Sequence, residues 1–200
     1  MTKSMLFNTE MVRALLDGRK SCTRRLIKDD VSAILNSPYH KAHPEVEDKQ
    51  ILCKLCMPPC TPGDILYVRE TFIQAALHIF WYKADDKSWM PKGLRWKPSI
   101  HMPKEAARIW LKVTDVRVER LQEITEDEAV KEGIYVANCK DCNAPFGCDT
   151  CPDEGYNKVD EFAELWDSTI KKSDLDRYGW SANPWVWVIS FERGEKPEDN

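Results

Sequence analysis

The hydrophobic pattern along the chain alternates between two periods. Met11, Val12, Leu15 and Leu16 recur at helical spacing and predict a helix over about Thr9–Asp17, with Asn8 or Thr9 as its cap and Gly18 at its end. Ser4–Phe7 before it reads as a short edge strand. Ile65–Arg69, Ile79–Tyr82 and Ile109–Val118 are strand-like runs. In the last, Ile109, Leu111 and Val113 share one parity and Val116 and Val118 the other, which predicts a bulge or bend at Thr114-Asp115. Pro103 opens a helical turn. Thr125 and Glu128 form a capping box for a helix that ends at Gly133. Val159, Phe162, Ala163, Trp166 and Ile170 lie on one face of a helix over about Lys158–Ile170. Trp185–Phe191 is apolar on both faces and reads as a central strand.

Several strands with local helical connections and no regular βαβ alternation predict an α+β fold built on a small closed or nearly closed barrel. A single domain over residues 1–192 and a charged tail over 193–200 account for the chain. Two excursions, at about 36–61 and 138–155, break the periodicity. They are rich in cysteine, and the first also in proline, with one short strand expected at Ile51-Leu52.

Composition changes the picture in two ways. The chain has 200 residues and a formal net charge of -4, which argues against coating long nucleic acid by bulk electrostatics. A small substrate or a short single-stranded site fits better. The opening residues lack the apolar core of a signal peptide, and the longest apolar run, Trp185–Ile189, is too short to span a bilayer. The expectation is a cytoplasmic protein without a membrane partner, whose thiols stay reduced. Its eight cysteines then point to metal before disulfides.

Cys139-x-x-Cys142 and Cys148-x-x-Cys151 have the spacing of a four-thiolate structural zinc site, with iron–sulfur ligation as the weaker alternative. Cys53, Cys56 and Cys60 are three ligands in search of a fourth, which His40 or His43 would supply. Alternatively, one pair from each excursion shares a metal. Cys22 has no partner motif and reads as a small packed residue.

The densest chemistry lies in Asp17–Arg25, where Arg19, Lys20, Arg24 and Arg25 surround Ser21 and Thr23. Such a run is most often a solvated surface. At the end of a helix it can also hold phosphate, or lower the pKa of a lysine until it acts as a base.

Gly18-Arg19-Lys20-Ser21-Cys22-Thr23-Arg24-Arg25 resembles the Gly-x-Lys-x-x-Thr-x-Arg signature of ASCH domains, a branch of the PUA-like superfamily. Gly63-Asp64-Ile65-Leu66-Tyr67-Val68-Arg69-Glu70 resembles that family's Gly-Asp…Val-Arg-Glu strand. The stretches Trp96–Pro103 and Asn183–Val188 resemble a phage- and prophage-associated subgroup. The resemblance covers most of the chain outside the two cysteine-rich excursions, so it does not imply the metal. It implies a PUA-like β-barrel with flanking helices and a cleft that recognises RNA or nucleotides. One branch of the family hydrolyses N4-acetylcytidine with a Thr, a Lys and a Glu, which match Thr23, Lys20 and Glu70 here.

Three readings follow. The first is a module for a nucleotide, a modified nucleoside or short single-stranded RNA. In it Lys20, Arg24 and Arg25 hold phosphate, an aromatic such as Tyr67, Phe72 or Trp96 stacks on the base, Arg69 is a further ligand-binding residue, and His101 lines the cleft. The second is an amidohydrolase on an N4-acylated cytidine, with Lys20 activating the Thr23 hydroxyl and Glu70 orienting the lysine or relaying a proton. The third is a zinc-stabilised phage interaction protein that docks through its cysteine loops.

Overall fold

The computed structural model describes residues 1–85, 90, 91, 93–134 and 157–197. Cys139, Cys142, Cys148 and Cys151 lie outside the described residues. The chain divides into two compact units, the first made of 1–21, 58–117 and 189–200 and the second of 22–57 and 118–188. Five strands form one sheet in the order β1-β3-β6-β7-β2. They are β1 (Thr2–Leu6), β2 (Cys22–Leu26), β3 (Ile65–Arg69), β6 (Trp110–Arg120) and β7 (Trp185–Gly194). The order has two free ends, at β1 and β2, so the sheet is open where the sequence predicts a closed or nearly closed barrel.

In the first unit, β1 runs parallel to β3, with Thr2 opposite Ile65 and Leu6 opposite Arg69. β3 runs antiparallel to β6, with Leu66 opposite Leu111. Alternation does the sorting: Leu66 and Val68 are buried, while Ile65, Tyr67 and Arg69 are half-buried. Helix α1 (Thr9–Leu16) starts where Asn8 accepts a hydrogen bond from the Met11 amide at 2.8 Å, and it buries Val12, Ala14 and Leu15. Gly18 ends it in the left-handed region at φ 73°. A hairpin of β4 (Phe72–Ala76) and β5 (Ile79–Tyr82) forms a separate two-stranded sheet with Leu77 and His78 at its tip. Ile79–Tyr82 was expected as a strand. Phe72–Ala76 is the partner the sequence hides, because Gln74, Ala75 and Ala76 interrupt its alternation.

The second unit has its own core. Leu121, Ile124, Ala129, Phe162, Trp166, Val186 and Val188 pack together, with Leu26, Val159, Ile170 and Trp180 against them. Helix α5 (Glu126–Lys131) begins with the expected Thr125–Glu128 capping box. Helix α6 (Lys158–Thr169) turns Phe162 and Trp166 inward, at the predicted spacing. The proline-rich stretch after β2 is not a loop with one strand. It folds as α2 (Val31–Leu35), α3 (Pro38–Ala42) and α4 (Asp48–Leu55). Ile51 and Leu52 are buried on α4, not in a strand. Three short helices carry too few turns to show a period, yet Asp30 and Ser37 cap two of them and Pro38 sits in a first turn. Helix α7 (Leu175–Tyr178) precedes a 3-10 turn at Trp180–Ala182.

β6 confirms the change of phase. Leu111 and Val113 are buried while Lys112, Thr114 and Asp115 are exposed, and Val118 is buried in the opposite parity. Among the described residues no helix is long and apolar enough to cross a membrane.

Candidate functional site

The turn after α1 fixes the first cation of the motif. Both the Arg19 and Lys20 amides donate to the Ala14 carbonyl, at 2.9 and 3.0 Å, so the chain doubles back on the helix end. Lys20 is thereby carried inward. It is only 4% exposed, and its ammonium lies 5.9 Å from the centre of the Phe7 ring. Phe7 in turn donates its amide to the Arg69 carbonyl at 3.1 Å. The lysine and the end of β3 thus share one side of the first unit. Arg19 is the contrast: it reaches Asp17 at the surface, 2.9 Å away.

Glu70 follows β3 and is 1% exposed. Its carboxylate accepts both arms of one guanidinium: Arg108 Nε donates to Oε1 at 2.9 Å and Nη2 to Oε2 at 3.0 Å. Arg108 Nη1 also reaches both oxygens of Asp85, at 2.9 and 2.7 Å. The guanidinium lies 4.0 Å from the centre of the Tyr82 ring, and the Tyr82 hydroxyl donates to the Ala106 carbonyl at 2.7 Å. Two carboxylates on one half-buried arginine leave one negative charge in excess. Burial raises the Glu70 pKa above its ordinary value, Arg108 opposes that, and Asp85 adds to it; the balance is upward. Tyr82 is also held up, chiefly by burial. A carboxyl whose pKa is moved up by burial is suited to acid–base work.

The stretch Trp96–Pro103 is strapped to this end of β3 by backbone and sulfur. Phe72 and Lys97 exchange amide–carbonyl bonds at 3.2 and 2.8 Å, the Glu70 amide donates to Met102 Sδ at 3.1 Å, and Arg69 Nη2 donates to the Ile100 carbonyl. Trp96 is half-buried and His101 exposed. Tyr67 is engaged on the sheet, opposite Trp110, with ring centres 5.8 Å apart. Arg108, Asp85, Tyr82 and Met102 carry no motif spacing. A lone arginine ahead of a strand gives the sequence reader no signal, so the residue that holds Glu70 was missed.

In the second unit, Thr23 stands on β2 and is 1% exposed, and its hydroxyl has no hydrogen-bond partner among the described residues. Arg24 beside it is buried among carboxylates. Its Nη2 meets Glu128 at 2.8 Å and Glu119 at 3.2 Å, and its Nη1 meets Glu132 at 3.3 Å. The Phe162 ring lies 5.8 Å from the guanidinium carbon. Arg24 therefore belongs to an internal ion network, which disfavours the role of phosphate holder expected for it. Arg25 is half-buried at the next position. Cys22 is packed, with its sulfur 4.0 Å from the Glu128 carbonyl.

The cysteines of the first excursion are spread over α4 and the loop after it. Among the described residues there is no group of three or more His, Cys, Asp or Glu placed to hold a metal. Cys53 is exposed on α4, whereas Cys56 and Cys60 are buried, and His43 pairs with Glu45 at 3.1 Å. His40 binds Asp48 at 2.8 Å. Burial and the neighbouring Asp29 push the Cys56 thiol up to about 11.

No protein-family model matches the chain, and no curated protein does. Among solved structures the chain is similar to an ASCH domain from Lactobacillus crispatus JV V101, at 12% identity over 96% of this chain and 79% of that one, with a TM-score of 0.43. It is also similar to the hypothetical protein PH0355, at 14% identity over 97% and 100%, with a TM-score of 0.39. The first of these likenesses is to a domain of the family whose signature the sequence resembles at Gly18–Arg25.

Proposed function

We propose that the chain recognises a nucleotide or a single unpaired RNA base through the polar residues of the Gly18–Arg25 motif and the end of β3. The observation that carries this reading is burial: Lys20, Thr23 and Glu70 are 4%, 1% and 1% exposed. A surface that tracks a phosphate backbone keeps its cations in water. Withdrawn polar groups suit a small ligand better than a polymer backbone. The unpartnered Thr23 hydroxyl supports this, since leaving such a group unsatisfied costs roughly 1–3 kcal/mol. Arg25 and Arg69 remain the anion holders of this reading, and Trp96 and His101 its stacking and lining groups. The test is equilibrium binding of cytidine 5′-monophosphate and of a short single-stranded RNA. Thr23→Val and Lys20→Met should each weaken binding about tenfold or more. No binding by the wild type refutes the reading, and unchanged binding by both variants refutes the residue assignment.

A second reading, amide hydrolysis on an N4-acylated cytidine, is favoured by the raised pKa of Glu70 together with the unpartnered Thr23 hydroxyl. The Thr23 oxygen would attack the acyl carbonyl while Lys20, as a neutral amine, takes its proton. The C–N bond breaks, the cytosine amine leaves with that proton, and water then hydrolyses the Thr23 ester to release the acid. Release of acetate and cytidine from N4-acetylcytidine tests it. No turnover refutes the reading, and turnover that survives Lys20→Ala and Thr23→Ala refutes these roles.

The spacing of Cys139, Cys142, Cys148 and Cys151 supports one structural zinc as a further element of this proposal. Elemental analysis of protein purified without chelator should find stoichiometric zinc. A metal-free protein of full stability refutes it.

A further inference from the structure

The second unit contains a cavity that takes no part in the chemistry above. Its volume is about 370 Å³, within the size range of small-molecule pockets. Two stretches of chain line it: one carries Asp29 and Asp30 after β2, the other carries Arg177, Tyr178 and Trp185, with Arg120 from the end of β6. Both arginines are laid on aromatic rings. The Arg120 guanidinium carbon is 4.3 Å from the centre of the Trp185 ring, and that of Arg177 is 4.9 Å from the centre of Tyr178. Stacking fixes the plane of a guanidinium and leaves its edge N–H groups for an anion.

Neither arginine forms a salt bridge among the described residues. Arg120 donates one side-chain bond, from Nη1 to the Asn183 carbonyl at 3.0 Å, and its charge acts on Glu123 without a direct ion pair. Arg177 is exposed and, among the described residues, has only the ring contact with Tyr178. This is unusual in a chain where Arg24 and Arg108 each bind two or more carboxylates. The wall that presents Arg120 is held firmly. Asn183, in the left-handed region at φ 46°, accepts the Gln122 amide at 2.9 Å, and Gln122 Nε2 donates to the Trp180 carbonyl at 2.8 Å. Of the aspartates, Asp30 uses one oxygen to cap α2, through the Ala33 amide at 3.0 Å. Ser32 and Asn36 add neutral polar groups to the lining. The charged lining thus pairs two cations with two anions in a space too small for a polymer.

We propose that this cavity is a second ligand site, for a small bipolar molecule with an oxyanion, phosphate or carboxylate, on Arg120 and Arg177 and a hydrogen-bond donor on Asp29 or Asp30. Adenosine 5′-monophosphate and free glutamine represent the two sources of the anion. Each is titrated into the full-length protein and followed by calorimetry and tryptophan fluorescence. At least one should bind, and Arg177→Ala should weaken it about tenfold or more, with Arg177→Lys in between. Arg177 makes no bond that folding needs, so loss of structure does not confuse the result. Binding of the phosphate alone or of the amino acid alone identifies the source. Failure of both probes at about 5 mM overturns the site. So does binding that survives Arg177→Ala. Adenosine monophosphate affinity lost in Lys20→Met and kept in Arg177→Ala puts the nucleotide at the motif instead and also overturns the cavity.

Discussion

Replacing Arg108 by methionine should destabilise the first unit by about 3 kcal/mol. Removing one partner of a buried ion pair costs roughly 3–5 kcal/mol, because the other charge is left desolvated. Glu70 is that charge, with 1% of its side chain exposed. Arg108 keeps 26% of its side chain in water, which lowers the figure, while the loss of the Asp85 bonds and of the Tyr82 face, the last about 0.5–1 kcal/mol, raises it again. In a chain of this length that is a fall in melting temperature of roughly 6–12 °C. The cost must also depend on pH. Burial already holds the Glu70 pKa above its ordinary 4.5, and without Arg108 it moves further up. A carboxyl whose folded pKa is raised favours the folded state when protonated, and that advantage disappears as pH rises through the raised value. The variant should therefore be most compromised at neutral pH and approach the wild type toward pH 4.5. Urea unfolding followed by tryptophan fluorescence across this range measures it. The double variant Arg108→Met/Glu70→Gln should recover most of the loss. A loss that is the same at every pH, or a double variant no better than the single, refutes a charged Glu70 held by Arg108.

Asp64 accepts from the Thr61 amide at 2.9 Å and meets the Lys3 ammonium at 3.0 Å and the chain's amino group at 3.1 Å; the Thr61 amide first, then Lys3, hold its pKa well below its ordinary 3.8. Its stabilisation is full above that ordinary value and lost progressively as pH falls from 3.8 through the much lower folded value, so the melting gap between wild type and Asp64→Asn should begin to narrow below pH 3.8 and keep narrowing as acid is added. Thr125→Ala removes the capping box of α5 and should cost about 1 kcal/mol, read in thermal unfolding, whereas Thr125→Ser should cost little. Arg24→Met strands Glu119, Glu128 and Glu132 and should cost about 3–5 kcal/mol, with partial recovery in Arg24→Met/Glu132→Gln by the same measurement.

The elements legible in the sequence are those whose side chains sort by period over enough residues. Helix α6 shows its buried face in Phe162 and Trp166, and β7 shows both buried faces in Trp185–Ile189. The helices α2, α3 and α4 are five, five and eight residues long, and prolines sit between them, so no period emerges. Barrel closure is a matter of which strands pair, and alternation within a strand does not encode it. The site divides in the same way. Lys20, Thr23 and Glu70 are legible because a short motif holds them. Their burial is not, since a run such as Gly18–Arg25 looks like surface until a doubled-back turn carries Lys20 inward. Arg108 is invisible because its meaning lies in three partners, Glu70, Asp85 and Tyr82, far away in the sequence.

The parallel pairing of β1 with β3 bears on how the chain is made. Within this chain β1 precedes the strand it lies against by roughly sixty residues. At about 5–20 residues per second, Met5 and Phe7 wait several seconds without the neighbours that bury them. Such a distant partner also makes β1 a late arrival in refolding, since its loop must close before any contact rewards it. β1 is then made well before the strand that buries it, and it docks late.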